Sequence, residues 1–364
     1  MRIVIDFGHP AHVHYFKHFI KEMTDNGHEI MCFARERYPI QELLNAYGIE
    51  VINRGRGSNK LVGKALNFFR VVWFIYYHSR KFKPDILMSF SGIYTTFAAV
   101  LLGAKAISLD DTETASKVHS VCKPFVDLIL TPECYKLDLG RKHVKFPGTL
   151  DMAYLHPNRF TPNESVLDEL GLEISERFAI VRFVSWQAHH DAGCKGLSPD
   201  SKRKLVTHLA AKMKVFISSE SELPPDLREY EIKIKPEHMH SVLAFATIFI
   251  GESGSMTTEC AVLGTPNIHV RHTIDPRLVP GVHLYFKNHD VKVLCEASNI
   301  DGIIDRIDTM TDHDFARKQF IPAHSMLLAE AIDLTAFFVW FIENYPRTRD
   351  EILSPDWSYD RFMV

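Results

Sequence analysis

Residues 247–270 constrain the fold more than any other stretch. Thr247-Ile-Phe-Ile250 is an apolar run of buried-strand type, Gly251-Glu-Ser-Gly-Ser255 is a turn of small residues, Met256 opens a helix-compatible stretch that stops at Gly264, and residues 268–270 are apolar again. A strand, a helix and a strand joined by such short turns close as a right-handed crossover between parallel neighbours. Parallel strands are covered on both faces, so this unit needs further strands and helices around it. The first half supplies the same alternation, with strand patterns at 3–7, 30–34, 51–52, 85–90, 106–109 and 127–130. Helix patterns at 13–23, 40–47, from about 60 onward and at 94–102 lie between them, and Gly27 and Gly48 sit where C-terminal helix caps belong.

A second alternating set begins at residue 178, with strands at 178–183 and 215–218 and helices ending near 213 and spanning 238–246. Between 147 and 164 the chain is rich in Pro, Asn, Thr and Gly, which places a linker there. The expected architecture is α/β, with two Rossmann-like, doubly wound parallel sheets at 1–155 and 165–325. A last helix at 325–343 and an aromatic tail with Trp357, Tyr359 and Phe362 complete a segment 326–364.

A chain of 364 residues with 46% hydrophobic content can build two such cores. A formal net charge of -3 speaks against a nucleic-acid binder. The six cysteines are scattered without a Cys-x-x-Cys pair, which reads as reduced thiols and a cytoplasmic location. Met1-Arg-Ile-Val-Ile-Asp-Phe-Gly reads as a strand entering a loop, with no export-signal pattern, and the most apolar stretches, 68–77 and 334–342, are too short to cross a bilayer.

The turn before the helix at Met256 is suited to an anion. Ser253, Gly254 and Ser255 let backbone N–H groups approach a phosphate, and Glu259, one turn deeper, can accept hydrogen bonds from a diol. The alternative is an ordinary crossover with Ser253 as N-cap and Glu259 on a solvated face. Ser253-Gly-Ser-Met-Thr-Thr-Glu-Cys-Ala-Val-Leu-Gly-Thr-Pro266 resembles the carboxy-domain nucleotide-diphosphate motif of GT-B glycosyltransferases, especially the version in UDP-N-acetylglucosamine 2-epimerases. The resemblance implies diphosphate contacts from the Ser/Gly turn, ribose contacts from Glu259, and two domains facing an interdomain cleft, with the C-terminal helix crossing back to the first domain.

Other loops after strands carry further candidates. Gly8-His9-Pro10-Ala11-His12 offers His9 or His12 as a general base or phosphate contact, or simply a helix cap; metal ligation lacks the usual histidine spacing. Ser89-Phe-Ser-Gly92 is a second small-residue turn, suited to a hydroxyl-rich substrate. Asp110-Asp111-Thr112-Glu113 crowds carboxylates that can split into acid and base, hold a divalent ion with a diphosphate, or only favour a helix start. Arg182, Lys195, Glu252 and Arg271 stand near the anion turn as candidate nucleotide-sugar contacts. From Val51 through Pro84 eight basic residues and no acidic one interleave with Phe68, Phe69, Trp73, Phe74, Tyr76 and Tyr77, a composition suited to anionic lipid headgroups on the inner face of a membrane. Helical spacing assigns Leu61, Ala65, Phe69, Val72 and Tyr76 to the core side of that helix.

Over its whole length the chain is similar to a family filed as domain of unknown function 354. The resemblance rests on Asp6 to His12 (Asp-x-x-x-Pro-x-His), Asp110 to Glu113, and Gly251 to Ser253. The readings that follow are a glycosyltransferase using a nucleotide-diphosphate sugar, UDP-linked, with a glycan or lipid-linked acceptor; a UDP-sugar 2-epimerase; and a nucleotide-sugar-binding protein without chemistry. His9, His12, Asp111 and Glu113 are the catalytic candidates. No cofactor or metal is required by the sequence.

Overall fold

The computed structural model describes residues 1–57, 61–113, 120–185, 196–354 and 356–363. The chain forms two compact units, Met1–Arg159 with Ala331–Val364, and Phe160–Glu330. In the first, β1 (Arg2–Phe7), β2 (Glu29–Ala34), β3 (Ile52–Asn53), β4 (Ile86–Phe90), β5 (Lys105–Leu109), β6 (Leu128–Pro132) and β7 (His143–Phe146) make one parallel sheet in the order β3-β2-β1-β4-β5-β6-β7. Ile3, Val4, Ile5 and Phe7 are fully buried, as a central strand covered on both faces requires. The winding direction reverses between β1 and β4, so the loops that follow these strands part and leave a crevice at their carboxyl ends.

The second unit repeats the plan with β8 (Phe178–Phe183), β9 (Lys214–Ser219), β10 (Ile248–Gly251), β11 (Asn267–Arg271) and β12 (Val293–Glu296) in the order β12-β11-β10-β8-β9. On one face Leu205, Val206 and Leu209 of the Pro199–Ala210 helix join Ile303, Ile307 and Met310 of the Ile300–Met310 helix over the sheet. Val166, Leu167, Val242, Leu243 and Cys260 cover the other face. The reversal here falls between β8 and β10, which sets the anion turn beside the long loop after β8. Gly251 pairs with Arg182 across that boundary, and a side chain at Gly251 would lie 2.8 Å from Arg182 Cβ.

Several elements depart from the sequence reading. β7 and β12 were not expected, nor were the Gly281–Asn288 and Ile300–Met310 helices. The helix expected at 325–343 is two helices, Ile321–Ala329 and Leu334–Glu343, the first in the second unit and the other in the first. Asp333 makes the break: its backbone is extended and its carboxylate accepts from Ala336 N at 3.0 Å, an N-cap. Arg159 donates to both oxygens of Asp333, at 2.9 and 2.8 Å, and also pairs with Glu22. Leu334, Phe337, Phe338, Phe341 and Ile342 then bury against the first unit, packing beside the Pro10–Asp25 and Met152–Leu155 helices, so the C-terminal segment does return to it.

A further departure is the face that the Leu61–Ser79 helix turns inward. Val71, Val72, Ile75 and Ser79 are buried, whereas Ala65 and Phe69, expected inside, are exposed. Apolar side chains ring this helix, so its spacing alone does not select a face.

Candidate functional site

The strongest cluster lies at the N-terminus of the Gly254–Leu263 helix. Ser253 is the N-cap, in extended backbone, and its Oγ accepts from Met256 N at 3.3 Å. The N–H groups of the first turn have no intrahelical acceptor; those of Gly254 and Ser255 take no partner among the described residues. Together with the helix dipole they favour an anion. Gly254 is required sterically: a Cβ there would sit 3.0 Å from both Cε1 and Nε2 of His283 and 3.7 Å from Cε1 of His269.

Those two histidines were not foreseen. His269 comes from β11 and His283 from the Gly281–Asn288 helix; both are buried, and their rings meet edge to face at 4.6 Å. His283 Nδ1 is 3.1 Å from Nζ of Lys292, itself buried at the start of β12. Burial, followed by the charge of Lys292, pushes both imidazoles well below their ordinary range, and Arg271 adds to the effect. The rings are therefore neutral at pH 7, and an incoming anion would oppose the depression.

Of the expected contacts, Ser253, Gly254, Ser255 and Arg271 gather here. Glu259 is one turn deeper and is 6% exposed, with its Oε1 3.2 Å from His240 Nε2, so it does not lie on the solvated face that the ordinary-crossover alternative gave it. Arg182 is committed elsewhere: Nη1 donates to Ser218 Oγ at 2.7 Å and Nη2 to Glu220 Oε1 at 3.0 Å. Its charge is thus already matched, contrary to a role as a spare cation for a leaving group. Glu252 also departs from expectation. One of its oxygens accepts from Val184 N at 3.0 Å and the other from Leu197 N at 2.7 Å, so this buried carboxylate fastens both ends of the loop after β8. Lys195 lies outside the described residues.

On the first unit the loops after β1, β4 and β5 converge. Asp110 is fully buried, and its Oδ1 accepts from the backbone of Asp111 and Thr112 at 2.8 and 3.1 Å, while Ser91 Oγ donates to Oδ2. That turn aims Asp111 at Tyr15, whose hydroxyl hydrogen-bonds it. Removal from water, then the charges of Asp110, Asp151 and Glu113, push the Asp111 carboxyl well above the ordinary carboxylate range. Glu113 accepts from Lys136 N at 2.8 Å. Among the described residues no group of three or more His, Cys, Asp or Glu is arranged to hold a metal ion.

His9 and His12 stand beside this cluster, the His12 ring 6.2 Å from Tyr15 and 4.8 Å from Phe90. Gly8 N donates to His12 Nδ1 and Ala11 N to His9 Nδ1, both at 3.2 Å. A neutral imidazole that accepts at Nδ1 carries its proton on Nε2. Each ring therefore presents a donor at Nε2, and His9 is also the N-cap of the Pro10–Asp25 helix, the helix-cap role given above as the alternative. Burial, reinforced by His9, Arg54 and Arg37, keeps His12 well below its ordinary range and so uncharged.

A family model described as protein of unknown function, DUF354, matches residues 1–331. The chain belongs to the DUF354 family. The uncharacterized protein MJ0665 of Methanocaldococcus jannaschii is 23% identical over 314 residues, 84% of this chain and 90% of the relative. Among solved structures, UDP-GlcNAc 2-epimerase of Methanocaldococcus jannaschii, in complex with UDP-GlcNAc and UDP, superposes with a TM-score of 0.61 at 11% identity, covering 86% of this chain and 93% of the other. Acinetobacter baumannii MurG superposes with a TM-score of 0.57 at 14% identity, over 94% and 99% of the two chains. The fold of this DUF354 protein is GT-B. Its Asp6 to His12 stretch has a structural account: Asp6 accepts from Arg54 Nε at 2.6 Å in a buried pair, and Arg54 lies 5.0 Å over the Tyr94 ring, so the acid fixes Arg54 at the carboxyl end of β1.

Proposed function

We propose that this protein binds a nucleotide-diphosphate sugar, UDP-linked, at the N-terminus of the Gly254–Leu263 helix and transfers the sugar to a glycan or lipid-linked acceptor. The observation that carries this reading is the Ser253-capped turn, with Gly254 pressed against the buried His283–Lys292 pair and Glu259 one turn further in. Two phosphates fit the helix end and the neutral imidazoles beside it, which gain a proton more readily once an anion is present. The ribose hydroxyls then share the Glu259 carboxylate with His240. That solved GT-B structures at low identity include sugar-nucleotide enzymes supports the substrate class.

For the chemical step, Asp111 is the base we favour. A carboxylate raised by its neighbours removes a hydroxyl proton more readily than an ordinary one, while the Nε2–H groups of His9 and His12 orient the acceptor. The same carboxylates favour one second reading, a 2-epimerase, because a protonated and an ionised acid side by side can move a carbon-bound proton.

Calorimetric titration of UDP, GDP, ADP and their sugar conjugates into the wild type, Glu259→Gln and Glu259→Ala tests the donor site. Loss of hydrogen bonds to a charged acceptor, worth about 1.5–3 kcal/mol each, lowers affinity roughly tenfold or more in Glu259→Ala. If no nucleotide binds the folded wild type, the reading fails. Incorporation of solvent deuterium at C2 of the bound sugar, without acceptor, would select the epimerase.

A further inference from the structure

The Leu61–Ser79 helix exposes Leu66, Phe69, Trp73 and Tyr77, at 67%, 70%, 61% and 50%, although the opposite face is fully packed. Steps of three, four and four residues put them in one stripe roughly 16 Å long. The apolar surface does not end there. Phe68 meets Phe97 of the neighbouring Ile93–Leu102 helix at 5.2 Å, Phe97 meets the half-exposed Phe125 at 5.1 Å, and Val100, Leu101 and Val121 are exposed beyond them. A contiguous apolar surface of this extent on one unit marks a contact surface.

Its charge identifies the occupant. Arg80, Lys81 and Lys83 are exposed at the C-terminal end of the stripe, Arg80 lies 4.3 Å over the Tyr77 ring, and none of the three forms an ion pair with a described residue. Arg70 projects from the same helix, and no acidic residue occurs from Val51 through Pro84. Exposed aromatics with polar edges, flanked by unmatched cations, suit the boundary between headgroups and acyl chains. No helix among the described residues is long and apolar enough to cross a bilayer, so contact of this kind lies on the surface. A second copy of the chain fits less well, since a two-fold contact would set Arg80, Lys81 and Lys83 near their own mates.

We propose that this face rests on an anionic lipid bilayer, with the Leu66, Phe69, Trp73 and Tyr77 stripe in the headgroup layer and the Arg80, Lys81 and Lys83 cluster against lipid phosphates. The proposal stands independently of the nucleotide-sugar reading and fails or survives on a separate measurement.

The full chain is sedimented with vesicles of phosphatidylcholine alone and of phosphatidylcholine with phosphatidylglycerol. The wild type pellets with the anionic vesicles only, and salt releases it. Phe69→Ser with Trp73→Ser, and separately Lys81→Glu with Lys83→Glu, each lower partitioning at least about tenfold while circular dichroism is unchanged. Tryptophan quenching by brominated phosphatidylglycerol falls in Trp73→Phe, which keeps the fold. Equal pelleting of wild type and both variants, absence of wild-type binding, or a dimer in light scattering that Trp73→Ser dissociates would each overturn the proposal.

Discussion

Gly254→Ala tests the close steric fit of the Gly254–Leu263 helix N-terminus, the proposed donor site. The added methyl would meet His283 Cε1 and Nε2 at 3.0 Å, some tenths of an ångström inside ordinary contact. His283 has little room to yield, because Nδ1 is held by Lys292 Nζ at 3.1 Å and the His269 ring crosses it at 4.6 Å. Overpacking of this kind costs about 1–3 kcal/mol. Replacing glycine by alanine inside a helix gains at most about 1 kcal/mol, and less in the first turn. The balance is a destabilisation of about 1–2 kcal/mol, or a Tm lower by about 2–8 °C for a unit of this size. Differential scanning calorimetry reads it, and the double variant Gly254→Ala with His283→Ser recovers most of the loss because the clashing ring is gone. Diphosphate affinity falls in the single variant. A Tm equal to or above that of the wild type would refute the claim that the ring is fixed against this glycine.

Three other perturbations separate the roles assigned above. Glu252→Ala leaves Val184 N and Leu197 N without their acceptor, at about 1.5–3 kcal/mol for each charge-assisted bond, so the urea midpoint of the second unit falls clearly; an unchanged midpoint would deny Glu252 its task. Asp110→Asn keeps the Oδ1 acceptor of its turn but removes a negative charge beside Asp111. Because the Asp111 carboxyl is raised in the folded state, its stabilising proton is fully present below the ordinary carboxylate range and is lost as pH rises through the raised value. The variant is therefore more stable than the wild type by a margin that grows from acid to neutral pH, and a margin independent of pH in thermal melts would contradict this. Tyr15→Phe removes the hydrogen bond that favours the Asp111 anion, so the acid limb of the rate profile moves to higher pH.

The sheet architecture was legible wherever strands are long apolar runs, as in β1, β4 and β8, because parallel strands covered on both faces leave that signature. β7, His143–Phe146, and β12, Val293–Glu296, are short and mix polar with apolar residues, so nothing local distinguishes them from loop. The break before Leu334 did carry a signal, Asp333 ahead of an apolar run, but 325–343 contains neither Gly nor Pro and reads continuously as helix. At the N-terminus of the Gly254–Leu263 helix, Ser253, Gly254 and Glu259 could be grouped from sequence because one turn and one helix hold them all. His269, His283 and Lys292 come from three segments that only the pairing of β11 with β12 and the packing of the intervening helix bring together. Hydrogen-bond direction was equally hidden: the backbone donors that fix the tautomers of His9 and His12 exist only once the loop after β1 has folded.

The return of the chain to its first unit has a consequence for biosynthesis. The second unit, Phe160–Glu330, is an uninterrupted segment, and the first is split around it. Arg159 and Asp333 staple the two crossing points together, so the whole second unit is an insertion whose entry and exit meet at one ion pair. The first unit therefore has all seven of its strands before the second unit is made, but receives the helices that complete it only afterwards. Until Leu334, Phe337, Phe338 and Phe341 have left the ribosome, the first sheet carries an uncovered apolar flank. A premature stop anywhere after Glu330 would spare the unit nearest to it and cripple the one that was begun first.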